Sequence, residues 1–200
     1  AGQKGILTEG QKPLVSINDP LVQEVIQMYH WAQDEIQTGL NPIKSINIAV
    51  QSLDDGNIWR YAALMEWTNQ TSQKLDDITV GPMTAMDNLQ IYDAKGNVLE
   101  YQAKEEEINV SCYTIHFPVP IEPNQQIRFI ISSKNYNRVY WSSKGPVWTI
   151  SFGWGGERPN LHYAKIILPK SAILLSTYPT FSIADRVEDR IALTFRNYAE

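Results

Sequence analysis

Short runs of alternating apolar and polar residues, each closed by Pro, Gly or Asn/Asp, recur along most of this chain. Ile46, Ile48 and Val50 form one such run, and Leu89-Gln90-Ile91-Tyr92 and Val98-Leu99-Glu100-Tyr101 form two more. Ile108 to Phe117 and the closing Ile191, Leu193 and Phe195 repeat the pattern. A period of two puts alternate side chains on opposite faces of a strand, so each run reads as half-buried β-structure. Strands at roughly ten-residue intervals with turn punctuation fit a sandwich or barrel better than alternating βα units.

The densest stretch runs from Gln126 to Leu168. Gln126-Ile-Arg-Phe-Ile-Ile-Ser-Ser133, Val147-Trp-Thr-Ile-Ser-Phe152 and Leu161-His-Tyr-Ala-Lys-Ile-Ile-Leu168 read as strands around the loop Gly153-Trp-Gly-Gly-Glu-Arg-Pro-Asn160. The rest of the chain reads as scaffold for this sheet or a cap on it.

One segment breaks the β pattern. Asn18-Asp19-Pro20 is a helix start, with a capping side chain and then Pro at the first helical position. Leu21, Val22, Val25, Ile26, Tyr29, Ala32 and Ile36 follow at three- and four-residue spacing, one apolar stripe over about five turns. Gln23, Glu24, Gln27, Gln33, Asp34 and Gln37 make its polar face, and Gly39 and Pro42 end it. An isolated helix of this length is marginal, so the stripe must pack on the strands that follow.

Asp54-Asp55-Gly56-Asn57 has turn chemistry, and the aromatic run Ile58–Trp67 is expected to pair back on the strand before it. Ala62 to Glu66 are good helix formers, which leaves helix as an alternative for 61–67. Residues 68–88 read as polar and broken at Gly81-Pro82, and Asp93–Asn97 as a hairpin loop. Glu105-Glu106-Glu107 reads as a solvated turn or edge. Pro118, Pro120 and Pro123 are expected to break the chain, and Ala172–Tyr178 to form a further strand.

The expected architecture is mainly β: an immunoglobulin-like or related antiparallel β-sandwich with one N-terminal amphipathic helix. Residues 1–18 read as an extended or flexible arm and 19–200 as one unit. The alternative division is a helix and hairpin subdomain over 19–82 and a sandwich over 83–200.

The net charge of −5, with no run of Lys or Arg, argues against a nucleic-acid partner. No apolar segment approaches membrane-spanning length. The one cysteine, Cys112, rules out an internal disulfide, which many bacterial exported proteins also lack. The small residues at Ala1-Gly2 fit a processed chain, giving a periplasmic, cell-surface or secreted expectation. The sequons at Asn69 and Asn109 read as chance occurrences.

Among residues that could carry chemistry, His30 reads as a boundary residue of the helix. Cys112 and His116, four apart on a strand, lie roughly 13 Å apart on one face, too far to share a metal ion. The loop at 153–158 lacks both the Lys-Ser/Thr ending of a phosphate-binding loop and the Gly-x-Ser-x-Gly of hydrolases. Asp54, Asp55, Asp76, Asp77, Glu105, Glu106, Glu107 and Glu157 all sit in polar, turn-like segments, where no acid–base pair can be placed. No catalytic residue, metal or cofactor is expected. Six tryptophans are many for this length, and most are expected in the core. Trp141, Trp148 and Trp154, with Glu157, Arg158 and His162, cluster near the loop and are the candidate ligand-binding residues.

The run Cys112–Ile131, its Pro-x-Pro-x-x-Pro and the later Ile-Ile-Leu-Pro strand resemble β-sandwich domains that stand beside secreted peptidase or transglutaminase-like modules. The resemblance covers roughly half the chain and contains no specific motif, so it implies a fold and carries no functional residue. The functional expectation is a non-catalytic exported binding or interaction domain for a protein, peptide or carbohydrate ligand. The alternatives are a hydrolase or hydrolase accessory domain acting on carbohydrate or peptide, and a purely structural module.

Overall fold

The computed structural model describes residues 17–37, 45–53, 59–84, 86–107, 110–135, 141–144, 147–150, 160–178 and 180–198. At 35–37, 82–84, 106–107, 110, 135, 141–144, 147–150, 160–162 and 197–198 only the backbone is described.

The helix forms where the capping signal places it. Helix α1 (Pro20–Gln37) starts at Asp19, whose Oδ1 accepts from the N–H groups of Leu21 at 2.8 Å and Val22 at 3.2 Å. These are two of the four donors that a helix N-terminus leaves without an internal partner. Val22, Val25, Tyr29 and Ala32 bury the predicted stripe, while His30 at its border stays exposed.

Among the described residues the chain then forms twelve strands. They are β1 (Ser45–Leu53), β2 (Trp59–Thr68), β3 (Leu75–Thr84), β4 (Gln90–Asp93), β5 (Tyr101–Glu107) and β6 (Val110–Ile121). There follow β7 (Gln126–Asn135), β8 (Trp141–Lys144), β9 (Val147–Ile150), β10 (Asn160–Ile167), β11 (Ile183–Val187) and β12 (Arg190–Tyr198). Seven strands make one sheet in the order β11-β12-β10-β1-β2-β7-β4, three make a second in the order β3-β6-β5, and β8 and β9 pair alone.

The fold is mainly β and sandwich-like. On one face of the large sheet, α1 packs over Ile48, Val50, Leu64, Ile130, Tyr163 and Ala192. On the other face, the three-stranded sheet brings Ile78, Tyr113, Ile115 and Ile121 onto Ile91, Ile127, Phe129 and Ile131. Alternate residues of β7 thus serve two cores, which is why its sequence reads as a nearly unbroken apolar run. Each fully buried Ile or Phe contributes about 1.5–3 kcal/mol, so these two layers supply most of the driving force.

The pairing of β2 with β1 settles residues 61–67 as strand. Burial on both faces overrides the helix propensity of Ala62–Glu66. One pair departs from the antiparallel expectation: β1 and β10 run parallel, Ser45 beside Asn160 through Ser52 beside Ile167.

Other expectations need correction. Residues 75–84 form β3, running through Gly81-Pro82 instead of breaking there. The register shifts between Val80 and Met83, and Gly81 takes φ +124 there, where a Cβ would stand 2.9 Å from the Ser111 carbonyl oxygen. A bulge of this kind needs glycine. Likewise, β6 continues through Pro118 and Pro120 to Ile121. The β3 register jumps from Asp77–His116 to Leu75–Ile121, and β5 pairing begins only at Tyr101–Ile115. Both prolines therefore stand where no ladder bond is required of them. Residues 172–178 form no strand, and the sequence reading missed β11, exposed along nearly all its length. The turn at 54–57 lies outside the described residues.

The predicted turn at Asp93–Asn97 forms: Asp93 Oδ1 accepts from the Lys95 and Asn97 N–H groups, and Gly96 takes φ +83. Its two arms then part. Strand β4 joins β7 in the large sheet, and the chain crosses at Tyr101 into the small one.

A second crossing, from β6 to β7, is held by Asn69. This side chain is wholly buried (0% exposed) just beyond β2. Its Nδ2 donates to the carbonyls of Gln73 at 2.8 Å and Ile121 at 3.0 Å. Its Oδ1 accepts from the N–H and the hydroxyl of Thr71, and its backbone bonds Gln125 and Asn124. The sequon Asn69-Gln70-Thr71 is thus a structural corner, with both hydrogens of the would-be glycan-bearing nitrogen engaged.

Candidate functional site

Two features outside the ordinary apolar core arise from the described residues. The first is a buried polar cluster under α1. The β2–β7 register sets Glu66 directly beside Arg128, and both point toward the helix. Glu66 Oε1 accepts from Arg128 Nη2 at 3.1 Å and from the Tyr29 hydroxyl at 2.6 Å. Its Oε2 accepts from the Ile46 N–H at 2.9 Å. The guanidinium lies 4.3 Å from the Tyr29 ring centroid, and Gln33 Nε2 donates to the Tyr29 hydroxyl at 2.8 Å.

Both charged side chains are 7% exposed. Burial, reinforced by the Glu66 carboxylate, holds the Tyr29 hydroxyl far above the usual tyrosine range. A carboxylate already holding a guanidinium, a phenol and an amide, with little solvent contact, is spoken for. The cluster fastens α1 to the sheet. A second ion pair, Lys165 with Glu24, does the same at β10, so Glu24 leaves the solvated face assigned to it.

The second feature is an apolar ribbon. After β10, Pro169 turns the chain into residues 172–178, which have no regular structure. Ala172 before the ribbon and Phe181 after it pack on the small core of Ala164, Ile166, Leu168, Leu193 and Phe195. Between these anchors Ile173 is 83% exposed, Leu175 73% and Tyr178 98%, with Leu174 also exposed. Beyond them runs β11, at one end of the large sheet. The ribbon therefore presents large apolar side chains to solvent from a segment anchored at both ends.

Of the candidate binding residues, Trp154, Glu157 and Arg158 lie outside the described residues. Trp141 on β8, Trp148 on β9 and His162 on β10 are placed by backbone only. Elsewhere Trp59 is buried and Trp67 half-buried, in line with tryptophans serving the core, whereas Trp31 is exposed against the Tyr163 ring.

On β6, Cys112 and His116 share the face opposite Tyr113 and Ile115, as their spacing predicts, and Cys112 is half-buried. Asp76 and Asp77 are exposed on β3, and Glu105 is exposed on β5. Among the described residues no group of three or more His, Cys, Asp or Glu side chains converges as a metal site, and no helix is long and apolar enough to cross a membrane.

The sequence reading missed both features. Glu66 and Arg128 are 62 residues apart and meet only through strand register. The ribbon shows in the sequence as an apolar run after a proline and reads there as a strand, because nothing in it says whether a partner is present.

No protein-family model matches the chain, and no curated protein matches it. Among solved structures, the chain is similar to an M1 zinc metallopeptidase from Deinococcus radiodurans, at 12% identity and a TM-score of 0.48. A mutant of that enzyme bound to a Tyr-Ser-Ala substrate matches at 13% identity and a TM-score of 0.47. Each match covers 76% of this chain and 38% of the peptidase chain, so the sequence spans well under half the length of these enzymes.

Proposed function

We propose that this chain is a non-catalytic interaction domain that docks through the ribbon at 173–178. One observation carries the reading: consecutive large apolar side chains are held in water by a segment whose two ends are anchored in the core. At about 200 Å² for a whole large apolar side chain, the exposed fractions of Ile173, Leu174, Leu175 and Tyr178 come to on the order of 550 Å². That is at the upper end of the roughly 300–600 Å² found for the largest patch on a monomer, which is often functional. Covering it would release about 14 kcal/mol of gross apolar transfer energy before the costs of association.

The test is a photoreactive residue in place of Leu175, with the same residue in place of exposed Glu100 as control, irradiated in an extract of the source cells. Adducts at 175 well above those at 100 are expected. Equal labelling at the two positions would overturn the reading.

A further inference from the structure

We infer that the occupant of the ribbon is a second copy of this chain, packed ribbon to ribbon about a two-fold axis; this rests on the interaction reading above. Three observations favour it. The first is area. Two ribbons of on the order of 550 Å² each bring at most about 1,100 Å² together, which with a polar rim reaches the roughly 1,000 Å² that a specific interface needs.

The second is chemistry. A surface of Ile173, Leu174, Leu175 and Tyr178 is complementary to itself, because an isologous contact sets the same patch on both partners. The third is charge. Exposed side chains that precede and follow the ribbon in sequence carry both signs, with Lys170 and Arg186 against Asp185, Glu188 and Asp189. A two-fold can then set acid against base at the rim, whereas flanks of one sign would repel a second copy.

The same charges say how the copies do not meet. Asp185 and Arg186 stand exposed in the middle of β11, and charges there oppose the addition of another strand. An antiparallel two-fold about either residue would set it opposite its own like charge. The contact inferred is that of the ribbon side chains, with the charged β11 edge disfavoured as a route for extending the sheet.

Sedimentation velocity of the purified chain at roughly 1–100 µM tests this, a range centred on the Kd of about 10 µM expected of a small, transient interface. A concentration-dependent dimer is expected. The Ile173→Ser/Leu175→Asp variant should stay monomeric throughout, and its melting temperature should match the parent's at concentrations where both are monomers, because both side chains are exposed.

As a second measurement, Tyr178→Cys in a Cys112→Ser background should give a covalent dimer with a short bismaleimide, and Glu100→Cys should not. A monomer at every concentration, or a dimer that the double variant leaves intact, overturns the second copy. If the chain is monomeric and the photoreactive residue at 175 still labels a different protein, only the choice of occupant falls. If neither is seen, the interaction reading falls with it.

Discussion

Replacing Asn69 by alanine removes the bonds that hold the corner between the two sheets. The side chain makes two donor and two acceptor bonds, but they are not equal. Thr71 and Gln73 are exposed, so water can replace what they lose, and their net loss is about 1 kcal/mol together. The Ile121 carbonyl belongs to a residue only 1% exposed and cannot be rehydrated in place. Stranding such an acceptor costs about 1–3 kcal/mol.

The total expected is therefore about 3 kcal/mol, or roughly 6–12 °C in melting temperature for a chain of this size. Asn69→Asp keeps the acceptor but turns an oxygen toward both carbonyls, and should be at least as damaging. Thr71→Val, which touches only the exposed half, should lose less than about 1 kcal/mol. Urea unfolding of the three variants measures all of this. A loss below about 1 kcal/mol for Asn69→Ala would refute the claim that the Ile121 carbonyl depends on this side chain. The same burial gives a second readout: the folded protein made in a glycosylating host should carry no glycan at Asn69, as intact mass would show.

Glu66→Gln should destabilise by about 3–5 kcal/mol, because it leaves the Arg128 guanidinium buried without a counter-charge. Glu66→Gln combined with Arg128→Met should lose less than Glu66→Gln alone, and a double-mutant cycle in urea that found simple additivity would contradict the pairing. Tyr29 gives a pH dependence with a definite sign. Its folded pKa is raised, chiefly by burial and then by the Glu66 carboxylate, so its contribution is full below the unfolded value near 10 and is lost as pH rises beyond it. Melting temperature should therefore fall from about pH 10 upward, and Tyr29→Phe should fall less steeply despite starting lower. Equal slopes would remove Tyr29 from the alkaline transition; Tyr92 and Tyr101, also raised by burial, would then carry it.

Much of the scaffold was legible because local signals agreed with the tertiary environment. Asp19-Pro20 and the stripe from Leu21 marked α1, and β1, β7, β10 and β12 each carried enough apolar residues to show their faces. Strand β3 was hidden for a physical reason: it pairs with β6 on one side only, and Leu75-Asp76-Asp77-Ile78-Thr79-Val80 buries little besides Ile78. Strand β11 buries almost nothing, so it leaves no period-two pattern to read. The ribbon inverts that error, since Ile173-Leu174-Leu175 has a strand's composition and pairs with no strand among the described residues. The polar cluster was illegible in principle, because the partnership of Glu66 with Arg128 is set by register, which sequence fixes only through the whole sheet. The aromatic loop at 153–158 lies outside the described residues.

The parallel contact of β1 with β10 imposes an order on assembly. Strand β1 is synthesised early and can at once take β2 on one side, but its other side waits until residues 160–167 exist. The clasp of Glu24 with Lys165 spans 141 residues and waits with it. A nascent chain thus holds a hydrophobic strand with one edge bare until residues 160–167 emerge, the situation in which edge pairing with other chains competes with folding. Closing so long a loop is slow, and the sheet becomes continuous only when β10 enters between β1 and β12. The C-terminal third of the chain is in this sense the keystone of a sheet that the N-terminal third begins.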